Sequence, residues 1–422
     1  MSGNSGLNAT PSADRVHIGI FGRRNAGKSS LINALTNQNL AIVSDTPGTT
    51  TDPVSKAMEL LPLGPILLID TPGIDDEGEL GSLRVQRSYQ VLNKTDIALL
   101  VIEASAGPSP EDMALLGRIR AKKLPSLLVF TKADQLPGGG TDLKEAEEHI
   151  PRISEIRATH IPYRVVSSVT KGSIHDLRET LARLVPEKAA PFPLCADLIR
   201  PGDFVVLVIP IDKAAPKGRL ILPEQQTIRD ILDAGAVSLV TREDKLAETL
   251  EKLGRDPALV ITDSQAFGVV NRIVPDRVRL TSFSILMARH KGNLEQAVDG
   301  AAHLKQLQDG DKVLISEGCT HHRQCGDIGT DKLPRWLAEF TGKQLDLSWT
   351  SGTEFPLDLG PYRMVIHCGG CMLNEREMLS RMRTSLDNGV PFTNYGTALA
   401  FMNGILRRSL TVFPDILKLV DE

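Results

Sequence analysis

Short apolar runs alternate with amphipathic segments along the first part of the chain. Five runs predict buried strands, and these are RVHIGIFG, PILLID, IALLVIE, SLLVF and PYRVVSS. The segments between them, such as SLINALTN and SIHDLRETLARLV, repeat their apolar residues at helical spacing. Strands that alternate with helices indicate a mainly parallel sheet with helices on both faces. We predict an α/β domain over residues 15–186, preceded by a flexible polar tail at residues 1–14.

The same alternation returns twice in the rest of the chain. DFVVLVIPI, AVSLVT and PALVITD predict the strands of a smaller unit, with helices at TIRDILDAG and KLAETLEKLG. A proline-rich stretch, PEKAAPFPL, indicates a linker before that unit. A third unit begins near residue 276, and its strands are DKVLISEGC and YRMVIHC. The predicted fold class is α/β with three domains, at residues 15–186, 187–275 and 276–422.

Composition and charge exclude several classes of function. The net charge of -4 gives no basic field for nucleic acid or for an anionic membrane. Aromatic residues make up 4% of the chain, which is too few for base-stacking surfaces. No apolar run approaches the roughly 18 residues that span a bilayer, and the N-terminus does not resemble a secretory signal. We expect a cytoplasmic protein that binds neither nucleic acid nor a membrane.

A glycine-rich motif, GRRNAGKS, follows the first predicted strand and precedes the first predicted helix. That order is the context of a P-loop, whose glycines let backbone N–H groups curl round phosphates. Lys28 is expected to bridge the outer phosphates, and the Ser29 hydroxyl to bind Mg²⁺. The residues predicted to surround the phosphates are Gly22, Arg23, Asn25, Ala26, Gly27, Lys28, Ser29 and Ser30.

Two further motifs, DTPG and TKAD, end later strands and complete a nucleotide site. Asp70 can hold Mg²⁺ through water, and the Gly73 N–H can meet the γ-phosphate. The Asp134 carboxylate can accept hydrogen bonds from guanine N1 and N2, which adenine does not offer. The residues predicted to bind the base are Thr131, Lys132, Asp134, Ser167 and Ser168. This order of motifs predicts a GTPase, and the alternative is a generic ATPase or phosphate loop.

The segment GTTTD, residues 48–52, lies where the first switch of a GTPase is expected. Thr50 is our choice for a second hydroxyl ligand of Mg²⁺, with Thr49 and Thr51 as alternatives. Catalytic roles are therefore assigned to Lys28, Thr50, Asp70 and Gly73.

GRRNAGKSS, GTTTD and DTPG together resemble the Era/TrmE-like branch of bacterial GTPases. The resemblance implies that Asn25 helps to bind K⁺, whose charge replaces the arginine finger of other GTPases. Ile74 follows DTPG, so the water-orienting glutamine of Ras-like enzymes is missing. Slow, K⁺-stimulated GTP hydrolysis is the expected activity. Thr131 stands where asparagine is commoner, which implies modest affinity for the nucleotide.

Cysteines and histidines gather at the ends of two predicted strands in the third unit. The motifs are Cys319-Thr-His321 and His367-Cys368-Gly-Gly-Cys371. Functional loops of parallel sheets meet at the carboxyl ends of strands, so parallel neighbours would bring three thiolates together. Zinc with a Cys₃His set and a [4Fe–4S] cluster on three cysteines both suit this spacing. A thioredoxin-like redox pair is a third alternative, but it leaves Cys319 unexplained.

Three nearby or isolated residues carry weaker signals. Cys325 is a further candidate ligand or a buried thiol, because free cysteines are often buried. Cys195 lies beside the linker and indicates a structural role. His322 is interpreted as a neighbour of the site rather than as a ligand.

The GTPase motifs and the cysteine motifs together resemble the HydF family of [FeFe]-hydrogenase maturation GTPases, from about residue 15 to the C-terminus. The resemblance implies a [4Fe–4S] cluster on Cys319, Cys368 and Cys371, with His321 or His367 as a candidate fourth ligand. It implies a scaffold that carries a di-iron subcluster precursor, whose ligands come from two radical-SAM maturases, to apo-[FeFe]-hydrogenase. The domain at 187–275 would form a homodimer. The implied cofactors are GTP or GDP, Mg²⁺, K⁺ and the cluster.

Two other functions compete with this interpretation. One is a ribosome- or tRNA-linked GTPase of the Era branch with a structural zinc site, although the negative net charge argues against it. The other is a GTPase-coupled thiol oxidoreductase that uses Cys368 and Cys371.

Overall fold

A computed structural model describes residues 10–36, 53–61, 63–74, 85, 87–139, 143–171, 173–185, 192–211, 220–318, 327–352 and 354–421. Its contacts divide the chain into two compact units, residues 1–188 and residues 189–422. Each unit has its own sheets and its own hydrophobic cores.

The first unit is built round a six-stranded sheet. Its strands are β1 (Val16–Phe21), β2 (Val54–Leu60), β3 (Gly64–Asp70), β4 (Ile97–Glu103), β5 (Ser126–Thr131) and β6 (Tyr163–Val165). The order across the sheet is β2-β3-β1-β4-β5-β6. Neighbouring strands are parallel except for β2, which pairs antiparallel with β3. The mainly parallel sheet predicted from the apolar runs is confirmed, and β2 is an edge strand that those runs did not reveal.

Helices cover both faces of this sheet. They are α1 (Lys28–Thr36), α2 (Pro110–Ala121), α3 (Leu143–His149), α4 (Ile153–Arg157) and α5 (Ile174–Leu184). Leu31 of α1 and Leu177 of α5 belong to one buried core, whereas Leu115 of α2 and Ile156 of α4 belong to the other.

Because β1, β3, β4 and β5 are parallel, their carboxyl ends lie along the same edge of the sheet, where functional loops gather.

Residues 10–14, which we placed in a flexible tail, contact the first unit. Residues Ser12–Asp14 form a 3₁₀ turn, and the carbonyl of Ser12 lies 2.8 Å from Nε2 of the buried His17 ring. Nε of Arg15 donates to the carbonyl of Thr10 at 3.0 Å. The flexible tail stays a prediction, and residues 1–9 lie outside the described part of the chain.

The second unit contains a first sheet of four parallel strands. They are β7 (Phe204–Val208), β8 (Val237–Thr241), β9 (Leu259–Thr262) and β10 (Leu280–Ser282). Their order is β10-β9-β7-β8. The accompanying helices are α6 (Leu222–Asp233), α7 (Leu246–Leu253), α8 (Phe267–Ile273) and α9 (Phe283–His290). Strand β10 lies beyond residue 275, where we expected the second domain to end.

The second unit also contains another sheet of four parallel strands. They are β11 (Lys312–Glu317), β12 (Asp346–Ser351), β13 (Met364–His367) and β14 (Phe392–Asn394). Their order is β12-β11-β13-β14. The accompanying helices are α10 (Leu294–Ala302), α11 (Leu333–Thr341), α12 (Glu375–Asp387), α13 (Tyr395–Met402), α14 (Leu406–Ser409) and α15 (Pro414–Asp421). Strands β11 and β13 are parallel neighbours, which is the arrangement that convergence of the cysteine motifs requires.

One hydrophobic core joins elements from both ends of the second unit. It contains Leu207 of β7 and Phe283 of α9, together with Leu406 of α14 and Phe413 just before α15. The last helices of the chain therefore complete the core beside β7–β10, and residue 275 does not separate two packed bodies. Among the described helices, none is long and apolar enough to cross a membrane.

Candidate functional site

The loop after β1 has the backbone conformation that a phosphate-binding loop requires. Gly22 has a φ of 148°, and a Cβ there would lie 2.2 Å from the carbonyl oxygen of Val101. Gly27 has a φ of 89° at the point where the loop enters α1. A side chain is excluded at Gly22 and strained by the positive φ at Gly27, and these two glycines let the backbone curl tightly before the helix N-terminus.

The ammonium group of Lys28 lies inside this curl. Its Nζ donates to the carbonyl oxygens of Gly22 at 2.9 Å and Arg23 at 2.8 Å, and the side chain is buried. A cation held at the centre of a loop of backbone N–H groups is complementary to the phosphates of a nucleotide. The predicted phosphate-binding role of Lys28 therefore has a suitable geometry.

Ser29 and Asp70 come together from α1 and the end of β3. The Ser29 hydroxyl donates to Asp70 Oδ2 at 2.9 Å. The other oxygen, Asp70 Oδ1, is buried and has no hydrogen-bond partner among the described residues. Burial raises the pKa of Asp70, and the nearby Lys28 charge and the Ser29 bond oppose that rise. A hydroxyl and a carboxylate with one unused buried oxygen fit Mg²⁺, which prefers oxygen ligands.

Two hydrogen bonds hold the DTPG segment, one to strand β1 and one to Ser88. The Thr71 hydroxyl donates to the carbonyl of Ile20 at 2.7 Å, and Ser88 Oγ donates to the carbonyl of Pro72 at 3.1 Å. The Ile74 side chain packs in the core, so it does not face the phosphate loop as a water-orienting residue would. Gly73 directly follows these two positions and is partly exposed. The predicted ligand Thr50, with its alternatives Thr49 and Thr51, lies outside the described residues.

The residues predicted to bind the base lie at the ends of β5 and β6. The buried Thr131 hydroxyl donates to the carbonyl of Ala26 at 2.5 Å, and it thereby ties β5 to the phosphate loop. Asp134 Oδ1 accepts from the Ser167 hydroxyl at 2.6 Å. Ser167 Oγ itself accepts from the backbone N–H of Thr170 at 3.1 Å. The buried Ser167 thus fixes the position of the Asp134 carboxylate, which is expected to recognise guanine. Ser168 is partly exposed.

Two basic residues of the predicted set direct their side chains to acidic groups of the protein. Nε of Arg23 lies 3.2 Å from Oδ2 of Asp112, at the N-terminus of α2. Nζ of Lys132 donates to Oε2 of Glu103 at 2.6 Å. That bond, more than any other influence, holds the pKa of Glu103 below its ordinary value.

Asp112 was not predicted from the sequence, although the SPED motif that contains it is a recognisable helix-capping signal.

The predicted thiolate site lies at the carboxyl ends of β11 and β13. The sulfur of Cys368 accepts from the backbone N–H of Gly318 at 3.1 Å and from that of Gly370 at 3.4 Å. Gly370 has a φ of 61°, which lets the chain turn back towards Cys371. Burial raises the pKa of the Cys368 thiol to about 11, and the two N–H bonds oppose this rise. Cys319, which follows Gly318, lies outside the described residues, as do His321, His322 and Cys325.

His367 is fully buried, and both its ring nitrogens have partners within the protein. Nε2 lies 3.2 Å from a guanidinium nitrogen of Arg381, which can only donate, so Nε2 is the acceptor. Nδ1–H then donates to the carbonyl of Cys368 at 2.7 Å. Burial and the Arg381 charge lower the pKa of His367 to about 3. This arrangement leaves His367 no free nitrogen for iron and makes it a support of the cysteine loop.

Arg381 forms a buried network on the far side of His367. It forms an ion pair with Glu377 at 2.7 Å, one turn earlier on α12, and donates to the carbonyl of Gly352 at 2.6 Å. Sequence reasoning missed these two residues, whose signal is an acidic and a basic side chain at i and i+4 spacing. Among the described residues, no three potential metal-ligating His, Cys, Asp or Glu side chains cluster together.

Three family models match successive parts of the chain. Residues 17–132 match a model described as 50S ribosome-binding GTPase, which agrees with the P-loop GTPase fold of the first unit. Residues 194–292 match the hydrogen maturase F dimerization domain, and residues 295–412 match the hydrogen maturase F tetramerization domain. The two hydrogen maturase F models together span slightly more than half of the chain.

Curated relatives match the chain over shorter lengths. The tRNA modification GTPase MnmE of Synechococcus sp. (strain CC9605) is 46% identical over 127 residues, which are 29% of this chain and 27% of the relative. The GTPase Der of Heliobacterium modesticaldum (strain ATCC 51547 / Ice1) is 32% identical over 190 residues, which are 44% of this chain and 42% of the relative. The chain thus spans less than half the length of either relative.

A solved structure of Era from Aquifex aeolicus, bound to GDP and AlF4⁻, is also similar to the chain. It is 21% identical, with a TM-score of 0.36, and the match covers 56% of this chain and 98% of that chain.

Proposed function

Since this chain belongs to the hydrogen maturase F (HydF) family, we propose that it is a GTP-hydrolysing scaffold that carries a di-iron subcluster precursor to apo-[FeFe]-hydrogenase. Its first unit would bind the nucleotide, and its second unit would hold a [4Fe–4S] cluster. The proposed partners are a second copy of the chain, two radical-SAM maturases and the apo-hydrogenase. Matches to dimerization and tetramerization domains support the association of copies.

The main support for the proposal is a contact at the Cys368 sulfur, where the ends of the parallel strands β11 and β13 meet. Gly318 at the end of β11 donates to this sulfur, and Gly370 donates to it from within the Cys-Gly-Gly-Cys loop. Hydrogen bonds to sulfur are one of the means by which proteins tune iron–sulfur clusters. The residues that would hold the cluster are Cys319, Cys368 and Cys371. A cluster on three cysteines keeps one iron open for a further ligand.

The first unit would supply groups for GTP hydrolysis. Lys28 would turn from the carbonyls of Gly22 and Arg23 to the outer phosphates, and Gly73 N–H would meet the γ-phosphate. Ser29 and Asp70 would hold Mg²⁺, which neutralises charge on the phosphates. Phosphoryl transfer depends on positioning and charge, and in this proposal these groups support slow hydrolysis.

We expect K⁺ to accelerate GTP hydrolysis through Asn25. This residue is exposed on the phosphate loop with a φ of 60°, and no glutamine follows DTPG. The rate should rise about tenfold or more when K⁺ replaces Na⁺, a part of the ~10³–10⁵ that an arginine finger supplies. Phosphate release in KCl and NaCl of equal ionic strength measures this effect. Asn25→Ala should lose the difference between the salts and keep the rate in NaCl. Equal rates of GTP hydrolysis by the wild-type protein in KCl and NaCl would contradict the proposed role of K⁺ and Asn25.

Metal analysis of the full chain tests the scaffold function. Protein purified without oxygen should contain iron and acid-labile sulfide, with the absorption and EPR spectra of a [4Fe–4S] cluster. Zinc in place of iron would favour the ribosome- or tRNA-linked alternative with a structural metal. Protein with neither metal would favour a redox pair of Cys368 and Cys371.

A further inference from the structure

The side chain of Arg23 joins the phosphate loop to helix α2. Its Nε lies 3.2 Å from Oδ2 of Asp112, and its Nη2 donates to the carbonyl of Gly107 at 3.3 Å. Both partners belong to the segment that follows β4, and the contact with Gly107 spans 84 residues of sequence. The phosphate loop is therefore linked to a part of the first unit that carries none of the nucleotide motifs.

Both partners of Arg23 are fixed by contacts of their own. The Asp112 side chain is fully buried, and its Oδ2 also accepts from the backbone N–H of Ser109 at 3.0 Å. The backbone N–H of Asp112 donates in turn to the Ser109 hydroxyl, which completes the capping box of α2. Gly107 packs so closely against Pro151 that a Cβ at Gly107 would lie 2.4 Å from the Pro151 carbonyl oxygen. Arg23 thus connects the loop to points that are already held in place.

The buried carboxylate of Asp112 depends on Arg23 for its compensating charge. Its second oxygen, Oδ1, is buried and has no hydrogen-bond partner among the described residues. Removal of one partner from a buried ion pair is strongly destabilising, because the other charge is left buried and unpaired. If Arg23 turned towards a phosphate, Asp112 would be left in that state. The geometry therefore favours a lasting contact with α2 over a contact with the nucleotide.

The backbone of Arg23 is part of the phosphate loop itself. Its carbonyl accepts from the N–H of Ala26 at 3.3 Å and from Nζ of Lys28 at 2.8 Å. A second contact reaches the loop from β5, because the Thr131 hydroxyl donates to the carbonyl of Ala26 at 2.5 Å. The loop is therefore held at Arg23 by α2 and at Ala26 by β5.

A binding loop that is already in its bound conformation loses less entropy when the ligand arrives, so its affinity is higher. We propose that Arg23 is a positioning residue, which keeps the phosphate loop in its nucleotide-binding conformation through the ion pair with Asp112 and does not itself contact a phosphate. Sequence alone placed Arg23 among the residues around the phosphates, and this inference gives it an indirect role there. The inference rests on the proposed function, since it concerns the nucleotide that the first unit would bind.

Substitutions on both sides of the ion pair test this role. Arg23→Gln and Asp112→Asn should each weaken the binding of fluorescently labelled GTP and GDP about tenfold. The double variant should bind no more weakly than either single variant, because both substitutions remove the same interaction. Arg23→Lys, which keeps a positive charge beside Asp112, should restore most of the affinity. Single-turnover phosphate release at saturating GTP should stay within about twofold of wild type, because only binding is affected.

Two controls separate the ion pair from the stability of α2. Asp112→Asn keeps an oxygen that can accept from the N–H of Ser109, whereas Ser109→Ala removes the hydroxyl of the capping box and leaves the ion pair. Ser109→Ala should therefore lower the melting temperature of the full chain without weakening nucleotide binding. Arg120→Gln removes an exposed arginine of the same helix and should match wild type in both measurements.

The outcomes distinguish the possible roles of Arg23. Loss of affinity in Arg23→Gln with full affinity in Asp112→Asn would show a direct phosphate ligand and overturn the proposal. Full affinity in both variants, additive losses in the double variant, or an equal loss in Ser109→Ala would overturn it as well. Wild-type protein that binds neither GTP nor GDP overturns the proposed nucleotide function together with this role. Wild-type protein that binds nucleotide but contains no iron overturns the scaffold alone.

Discussion

Lys28→Ala should reduce GTP hydrolysis about 100- to 1,000-fold, the usual loss when one charge-stabilising donor is removed from a transition state. The ammonium lies within the curl of the phosphate loop, held by the carbonyls of Gly22 and Arg23. It is the cation that this loop encloses, and phosphoryl transfer relies on such charge. Loss of the side chain also leaves the two carbonyls without this donor, so weaker nucleotide binding should accompany the lower rate.

Single-turnover phosphate release with saturating GTP measures the loss separately from binding. Lys56→Ala is the matched control, because Lys56 is an exposed lysine of the same unit, on the edge strand β2, and its variant should hydrolyse GTP at the wild-type rate. Iron content should remain unchanged in the Lys28 variant. A rate within threefold of wild type would contradict the assignment of Lys28.

Cys368→Ala should abolish stable incorporation of iron and sulfide while GTP hydrolysis stays within about twofold of wild type. The Cys368 sulfur is where the N–H groups of Gly318 and Gly370 converge, so its removal takes away both a ligand and the group that joins β11 to the loop. Cys368 lies in the unit of residues 189–422, whereas the nucleotide residues lie in residues 1–188. We therefore expect the substitution to change the incorporation of iron and sulfide without changing the rate of GTP hydrolysis.

Iron and sulfide per chain after anaerobic reconstitution measure this effect. Cys195→Ala is a demanding control, because Cys195 is fully buried in the core of the same unit and its loss should also reduce stability. Burial raises the pKa of Cys195 far above its ordinary value, as expected of an inert structural thiol. Full iron content in the Cys368 variant, or equal losses in both variants, would contradict the proposed ligand role.

The elements predicted from sequence are those with continuous apolar runs. Strands β1, β4 and β5 are buried on both faces, so nearly every side chain is apolar and the run is visible. Strand β2 was missed because five of its seven residues are exposed on an edge. Strand β12 was missed for a similar reason, since none of its residues is fully buried. Edge strands carry little of the hydrophobic signal on which such predictions depend.

Site residues were predictable where a motif places them on adjacent strand ends. Ser29 and Asp70 meet as the order of strands implies, and Asp134 meets Ser167 at the ends of β5 and β6. Lys291 was not predicted as a neighbour of the Cys-Gly-Gly-Cys loop, because its contact with the carbonyl of Leu373 spans 82 residues of sequence. The end of the second domain was misplaced for the same reason: helices from the C-terminus complete its core, and no local pattern records that packing.

The bond from Thr131 to the carbonyl of Ala26 has a consequence for the choice of nucleotide. Its buried hydroxyl is already engaged with the phosphate loop, so it offers its proton to the protein and not to a purine. In the proposed function, discrimination between guanine and adenine would then fall to one carboxylate, that of Asp134, which accepts a hydrogen bond from Ser167. Because the same strand end is tied to the phosphate loop, any shift of the base would be felt at the phosphates. In the proposed function, base selectivity and affinity for GTP would therefore be coupled through Thr131.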